Sequence, residues 1–100
     1  MTKKFNQEIA NLKRSQFWIK NDLDRLNKLL KIKSQEVVNC IRYIEKLKLQ
    51  ERYDEIKHHN KKRIHLLKEQ EAFIHLQCNL HTEFHTIGHE IVTLRRTLND

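Results

Sequence analysis

From Phe5 to Leu47 one set of residues recurs alternately after four and three positions. It runs Phe5, Ile9, Leu12, Gln16, Ile19, Leu23, Leu26, Leu30, Lys33, Val37, Cys40, Ile44 and Leu47. Eleven of these thirteen are apolar, so the pattern is a heptad seam and not chance. A 3.5-residue repeat keeps one stripe of a helix turned toward a partner helix over many turns. Gln16 and Lys33 interrupt it, and polar seam residues cost stability while fixing register or partner. The chain has no proline and one glycine, Gly88. Tight turns draw on both residue types, so their scarcity predicts very few and very long helices.

A second stripe follows in a different phase. Leu66, Phe73, Leu80, Phe84, Ile87, Ile91, Leu94 and Leu98 form it, with Gln70 and Gln77 as polar gaps. Extended backward, this frame is offset by five residues from the first. Between the two lies ERYDEIKHHNKKR, residues 51–63, which is poor in apolar side chains. That stretch predicts a turn or break over 51–61, with helices over 4–50 and 62–98. Asn60 is a candidate cap for the second helix, although Lys61, Lys62 and Arg63 in a first turn would oppose the helix dipole. In a hairpin centred near residue 59, Cys40 and Cys78 fall at one level.

The expected fold is therefore all-α: a single elongated unit built as a long antiparallel helical hairpin or coiled coil. Two copies could pair into a four-helix bundle. The alternative is one continuous helix of about 150 Å at 1.5 Å per residue. Apolar residues make up 38% and charged residues 33%, which suits a narrow seam and not a thick core.

Some apolar residues fall outside the seam. Ile64, Leu67, Ile74 and Cys78 form a second line on the other helix, and Phe17, Trp18 and Ile32 stand off the first seam. Helices apolar on two sides touch two neighbours. These residues are candidate partner contacts, with Trp18 the foremost because buried aromatics dominate many interfaces. Covering the hairpin itself is the competing role for Trp18.

His75, Cys78, His81, His85 and His89 continue the second line. His81, His85 and His89 form i,i+4 pairs that could pinch a first-row metal. A structural zinc needs four converging ligands, and one straight helix offers two at a time. No metal site and no cofactor is expected from this pattern. Imidazoles ordinarily titrate near pH 6.5, so a pH-sensitive face is a further reading of the cluster.

The net charge is +7, and it is uneven. Residues 1–50 carry 12 basic and 5 acidic side chains, whereas residues 51–100 carry 8 of each. Lys13, Arg14, Lys20, Arg25, Lys28 and Lys31 on the first helix, with Lys61, Lys62 and Arg63 near the break, are candidate contacts for an acidic partner. Phosphate contact without sequence reading is the alternative use. No zinc finger, RNA-recognition motif or basic region ahead of a zipper is present. Nucleophile-elbow, P-loop and dinucleotide signatures are also missing, and one glycine cannot build a phosphate cradle.

Neither a secretory apolar core nor a bilayer-length apolar run occurs, and two cysteines make no disulfide framework. An intracellular, cytoplasmic setting is expected, with cytoskeletal association possible and the nucleus open. The expected function is that of a non-enzymatic structural or adaptor coiled coil. It would pair with itself as a homodimer or with another coiled-coil protein. It would dock by its basic helix onto an acidic filament or protein complex, a cytoskeletal or axonemal assembly being the specific expectation. A small helical protein binding nucleic acid without sequence preference is the alternative. No small-molecule substrate and no membrane span are expected.

Overall fold

The computed structural model describes residues 2–99. The chain is all-α and consists of two helices, α1 (Thr2–Leu49) and α2 (Tyr53–Asn99), packed as a hairpin. The single-rod alternative is thereby excluded. Among the described residues there is no strand, and no helix is long and apolar enough to cross a membrane.

The turn lies earlier than the sequence suggested, and it is shorter. Residues 53–61 are helical, and Asn60 sits inside α2 instead of capping it. Residues 50–52 carry the whole reversal. Glu51 adopts the left-handed conformation, with φ 58°. The Glu51 N–H donates to the Lys48 carbonyl at 3.1 Å, and the Arg52 N–H donates to the Leu47 carbonyl at 3.1 Å. This is a Schellman closure, which satisfies carbonyls that the end of α1 would otherwise leave unpaired. The Ile56 N–H then donates to the Arg52 carbonyl at 3.2 Å, opening α2.

Charge supports both ends of the turn. Lys46 and Lys48 occupy the last turn of α1, and Asp54 and Glu55 the first turn of α2. Each set complements the helix dipole at its end. The Arg52 guanidinium pairs with Glu55 across the start of α2. The feared clash of Lys61, Lys62 and Arg63 with the dipole does not arise, because these residues lie two turns inside the helix.

Glycine is the usual residue at the left-handed position, since a Cβ there costs about 1 kcal/mol. Glu51 is exposed, and its backbone alone closes the turn. Glu51→Gly is expected to stabilise the hairpin by roughly 0.5–1 kcal/mol, the relieved strain exceeding the entropy that glycine adds to the unfolded chain. A thermal melt should show a midpoint a few degrees higher; an unchanged or lower midpoint contradicts this account of the turn.

The helical segments form two compact units, Leu26–His75 and the pair of segments Met1–Arg25 and Leu76–Asp100. The turn unit holds most of the buried apolar residues. Val37, Cys40, Ile44, Leu47, Ile56 and Leu66 form one buried cluster, with Leu47 fully buried. These are seam positions of α1 meeting seam positions of α2. The α2 stripe extends back from Leu66 through Arg63 and His59 to Ile56 at unbroken four- and three-residue spacing, and His59 and Arg63 are half-buried there. Cys40 donates its thiol to the His59 carbonyl at 3.5 Å, and Tyr43 meets the His59 ring edge-on at 4.7 Å. Cys40 is therefore level with His59, and the expected Cys40–Cys78 level does not occur. Both cysteines are free thiols.

In the unit of the chain ends, Ile9, Ile19, Leu23 and Ile91 are buried. Gln16 sits among them as the polar seam residue. Its side-chain amide donates to the Phe84 carbonyl at 3.2 Å. Gly88 lies beside that bond, and a Cβ placed there would stand 3.1 Å from the Gln16 amide nitrogen. The lone glycine thus makes room for a hydrogen bond between α1 and α2.

Candidate functional site

With seam residues at heptad positions a and d, flanking positions e and g line the two grooves between antiparallel helices. Glu8, Ser15 and Glu90 all hold g positions and line one groove together with Leu12 and Leu94. Glu36, Tyr43 and Lys62, again g positions, line a second groove beside Cys40 and Leu66 in the turn unit. The e side lies opposite. There Ser34 accepts a hydrogen bond from the Gln70 amide at 2.9 Å, and Gly88 faces Gln16.

The two sides differ in charge. Seven acidic residues occupy g positions: Glu8, Asp22 and Glu36 on α1, and Glu55, Glu69, Glu83 and Glu90 on α2. Only one base, Lys62, joins them. No acid occupies an e position, whereas Lys13, Lys20, Lys48 and Arg95 do. In the unit of the chain ends the g side is thus acidic and the e side basic.

The apolar residues singled out from sequence are all exposed. Phe17 is 58% exposed, Trp18 56%, Ile32 56%, Ile64 49%, Leu67 42% and Ile74 45%. Phe17 and Trp18 belong to the unit of the chain ends, where their rings meet edge-on at 5.7 Å. The others belong to the turn unit. Ile64, Leu67 and Ile74 hold b and e positions of α2, and exposed Val38 and Ile41 hold the matching positions of α1. The latter two were not picked out from sequence, although their spacing from the seam carried the signal.

Most candidate basic contacts are also exposed: Lys13, Arg14, Lys20, Arg25, Lys28, Lys31, Lys61 and Lys62. Arg63 is the exception. It is half-buried at a seam position, and its Nε is buried without a hydrogen-bond partner. Arg63 thus stands at a seam position with part of its side chain open to solvent. Lys33, the other basic seam residue, bonds Glu69 at 2.5 Å and Glu36 at 3.5 Å.

The Lys33–Glu69 pair moves the pKa of both its groups from their ordinary values. The hydrogen bond that Lys33 donates to Glu69 raises the Lys33 ammonium pKa against the opposing effect of burial, and Glu36 adds to the rise. The same bond from Lys33 lowers the Glu69 carboxyl pKa, with His65 assisting at 2.6 Å. The lowered carboxyl contributes stability that is present above its unfolded pKa and lost as pH falls through the folded value. The raised ammonium contributes stability that is lost only at alkaline pH, as pH rises through its folded value. Glu69→Gln is expected to lower the melting midpoint at about pH 7 and to lose that difference in acid, as pH falls through the lowered folded value of the native carboxyl. A difference independent of pH rejects the pair as a stabilising element. Both partners are partly exposed, so the effect is small and salt-sensitive.

Histidines 75, 81, 85 and 89 are exposed, as is Cys78. Among the described residues no three His, Cys, Asp or Glu side chains converge as a metal site would require. His75 leans toward Glu71 at 3.7 Å. Thr82, Thr86, Thr93 and Thr97 on the same helix each return a hydroxyl hydrogen bond to the carbonyl four residues earlier, so their polarity is satisfied locally. No family model, curated protein or solved structure matches the chain.

Proposed function

We propose that the chain is a non-enzymatic helical adaptor whose outer faces dock on other proteins. The observation that carries this reading is the exposure of Phe17, Trp18, Ile32, Ile64, Leu67 and Ile74 outside a seam already occupied by the chain's own helices. Because α1 and α2 occupy each other's seam, partner contact falls to the flanking faces. The accessible surface supports the need for a partner. It is 7962 Å², against about 6,100 Å² for a compact monomer of its 12.3 kDa mass. The difference is about twice the roughly 800 Å² that a standard protein interface removes from each partner.

The partner class follows from charge. Lys13, Arg14, Lys20, Lys28 and Lys31 are exposed along α1 and suit an acidic filament or protein complex, such as a microtubule with its acidic tails. Nucleic acid is the second reading, favoured by the same exposed bases. Co-sedimentation with microtubules, run beside gel shift on duplex DNA and RNA at about 150 mM salt, separates the two. Binding to microtubules, weakened by Lys13→Glu with Lys20→Glu, is the expected result. Binding to nucleic acid alone overturns the adaptor reading.

A further inference from the structure

We propose that a second copy of this chain docks heterologously in the unit of the chain ends. The basic face of one copy would enter the acidic groove of the next. This deepens the adaptor reading and rests on it. The groove has a volume of about 520 Å³ and an apolar floor of Leu12 and Leu94. Glu8 and Glu90 stand on its two walls. Neither carboxylate has an ion-pair partner among the described residues, and Asp22 and Glu83 extend the acidic side within the same unit.

The complementary surface is present on the opposite side of that unit. Phe17, 58% exposed, lies between Lys13 four residues before it and Lys20 three residues after it. All three are at b or e positions of α1 and so share one face of the helix, where the Phe17 ring also meets Trp18 edge-on. Lys13 and Lys20 have no ion-pair partner among the described residues. An apolar knob flanked by bases faces one way, and an apolar groove walled by acids faces the other. A surface matched to a different surface of the same molecule makes a heterologous contact, which does not close on itself as a two-fold dimer does. An isologous pairing through the e side would instead set Lys13, Lys20 and Arg95 against their own copies, which like-charge repulsion disfavours.

The test is sedimentation of the full chain over a concentration series, with two charge-reversed variants. One is Lys13→Glu with Lys20→Glu; the other is Glu8→Lys with Glu90→Lys. Circular dichroism checks that both retain helix. The wild type should associate beyond a dimer at about 50 mM salt and weaken at about 500 mM, where the Debye length is only a few ångströms. Each variant alone should lose association by at least tenfold in apparent Kd. An equimolar mixture should recover it, because each supplies the surface that complements the other. Self-association of either variant alone at wild-type strength overturns the proposal, as does a mixture that stays apart or a wild type monomeric throughout. Glu8→Lys with Glu90→Lys leaves the basic face intact. Its microtubule binding therefore reports on the adaptor reading separately from self-assembly.

Discussion

Leu47→Ala should destabilise the hairpin by about 3 kcal/mol, within the range of buried leucine truncations. Leu47 is fully buried. It lies in the cluster with Ile44 and Ile56, and its carbonyl accepts the Arg52 N–H that closes the turn. The truncation removes packing at the point where the chain reverses, so the remaining side chains cannot collapse into the space without distorting the Schellman closure. A two-helix unit has only a few kcal/mol of stability to lose. The variant should therefore begin to unfold at ambient temperature in a urea titration followed by circular dichroism. Leu49, two residues on, is 88% exposed. Leu49→Ala should stay within about 0.5 kcal/mol of wild type. Equal losses at both positions would contradict the burial pattern.

Arg63→Leu should act in the opposite direction. The guanidinium occupies a seam position, and its Nε is buried with no acceptor. A buried donor without a partner costs about 1–3 kcal/mol, and replacing a poorly satisfied charge by an apolar side chain of similar volume is often stabilising. Leucine at this point would join Cys40 and Leu66 of the same core. The expected gain is about 1–2 kcal/mol in the same titration. The residue was counted among the basic docking contacts by sequence. Its half-buried seam position predicts that Arg63→Leu leaves microtubule binding near wild type, while Lys13→Glu with Lys20→Glu does not. A loss of stability on Arg63→Leu would mean that the guanidinium is held by bonds the seam geometry does not show.

The α1 seam was fully legible because its polar interruptions are only two. All thirteen positions from Phe5 to Leu47 are buried or half-buried. The α2 seam was legible only from Leu66 onward. Its first turns carry His59 and Arg63 at seam positions, and polar side chains there look like the end of a helix when periodicity is judged by apolarity alone. Ile56 was the surviving signal. The turn was hidden for a related reason. Glu51 takes a conformation usually given to glycine, so the residue type does not announce it. The charge arrangement does: Lys46 and Lys48 end one helix, and Asp54 and Glu55 begin the next.

The outer faces were partly legible. Exposure of Trp18 and Leu67 follows from their lying outside the seam, whichever way the helices run. The separation of acidic and basic sides does not. In an antiparallel pair g positions share a groove with g positions, whereas in a parallel pair each g would face an e. Only after the hairpin was established did Glu8 and Glu90 fall on one groove and Lys13 and Lys20 on the other side. Gly88 is similar. In sequence it is a lone helix-weakening residue, and in the fold it admits the Gln16 amide to the Phe84 carbonyl.

The central claim is that the heptad seam is closed within one chain, which leaves the flanking faces for partners. The most direct test is a pulsed electron-paramagnetic-resonance distance between nitroxides introduced as unnatural residues at Gln35 and Lys68, with labelled protein diluted into unlabelled protein. Both positions lie in the turn unit, on the outward side of α1 and α2 respectively. Helices packed 8–10 Å axis to axis, with labels on their outer sides, predict a narrow distribution near ~25–30 Å. One uninterrupted helix would hold the same labels roughly 50 Å apart at 1.5 Å per residue, and that result would contradict the account.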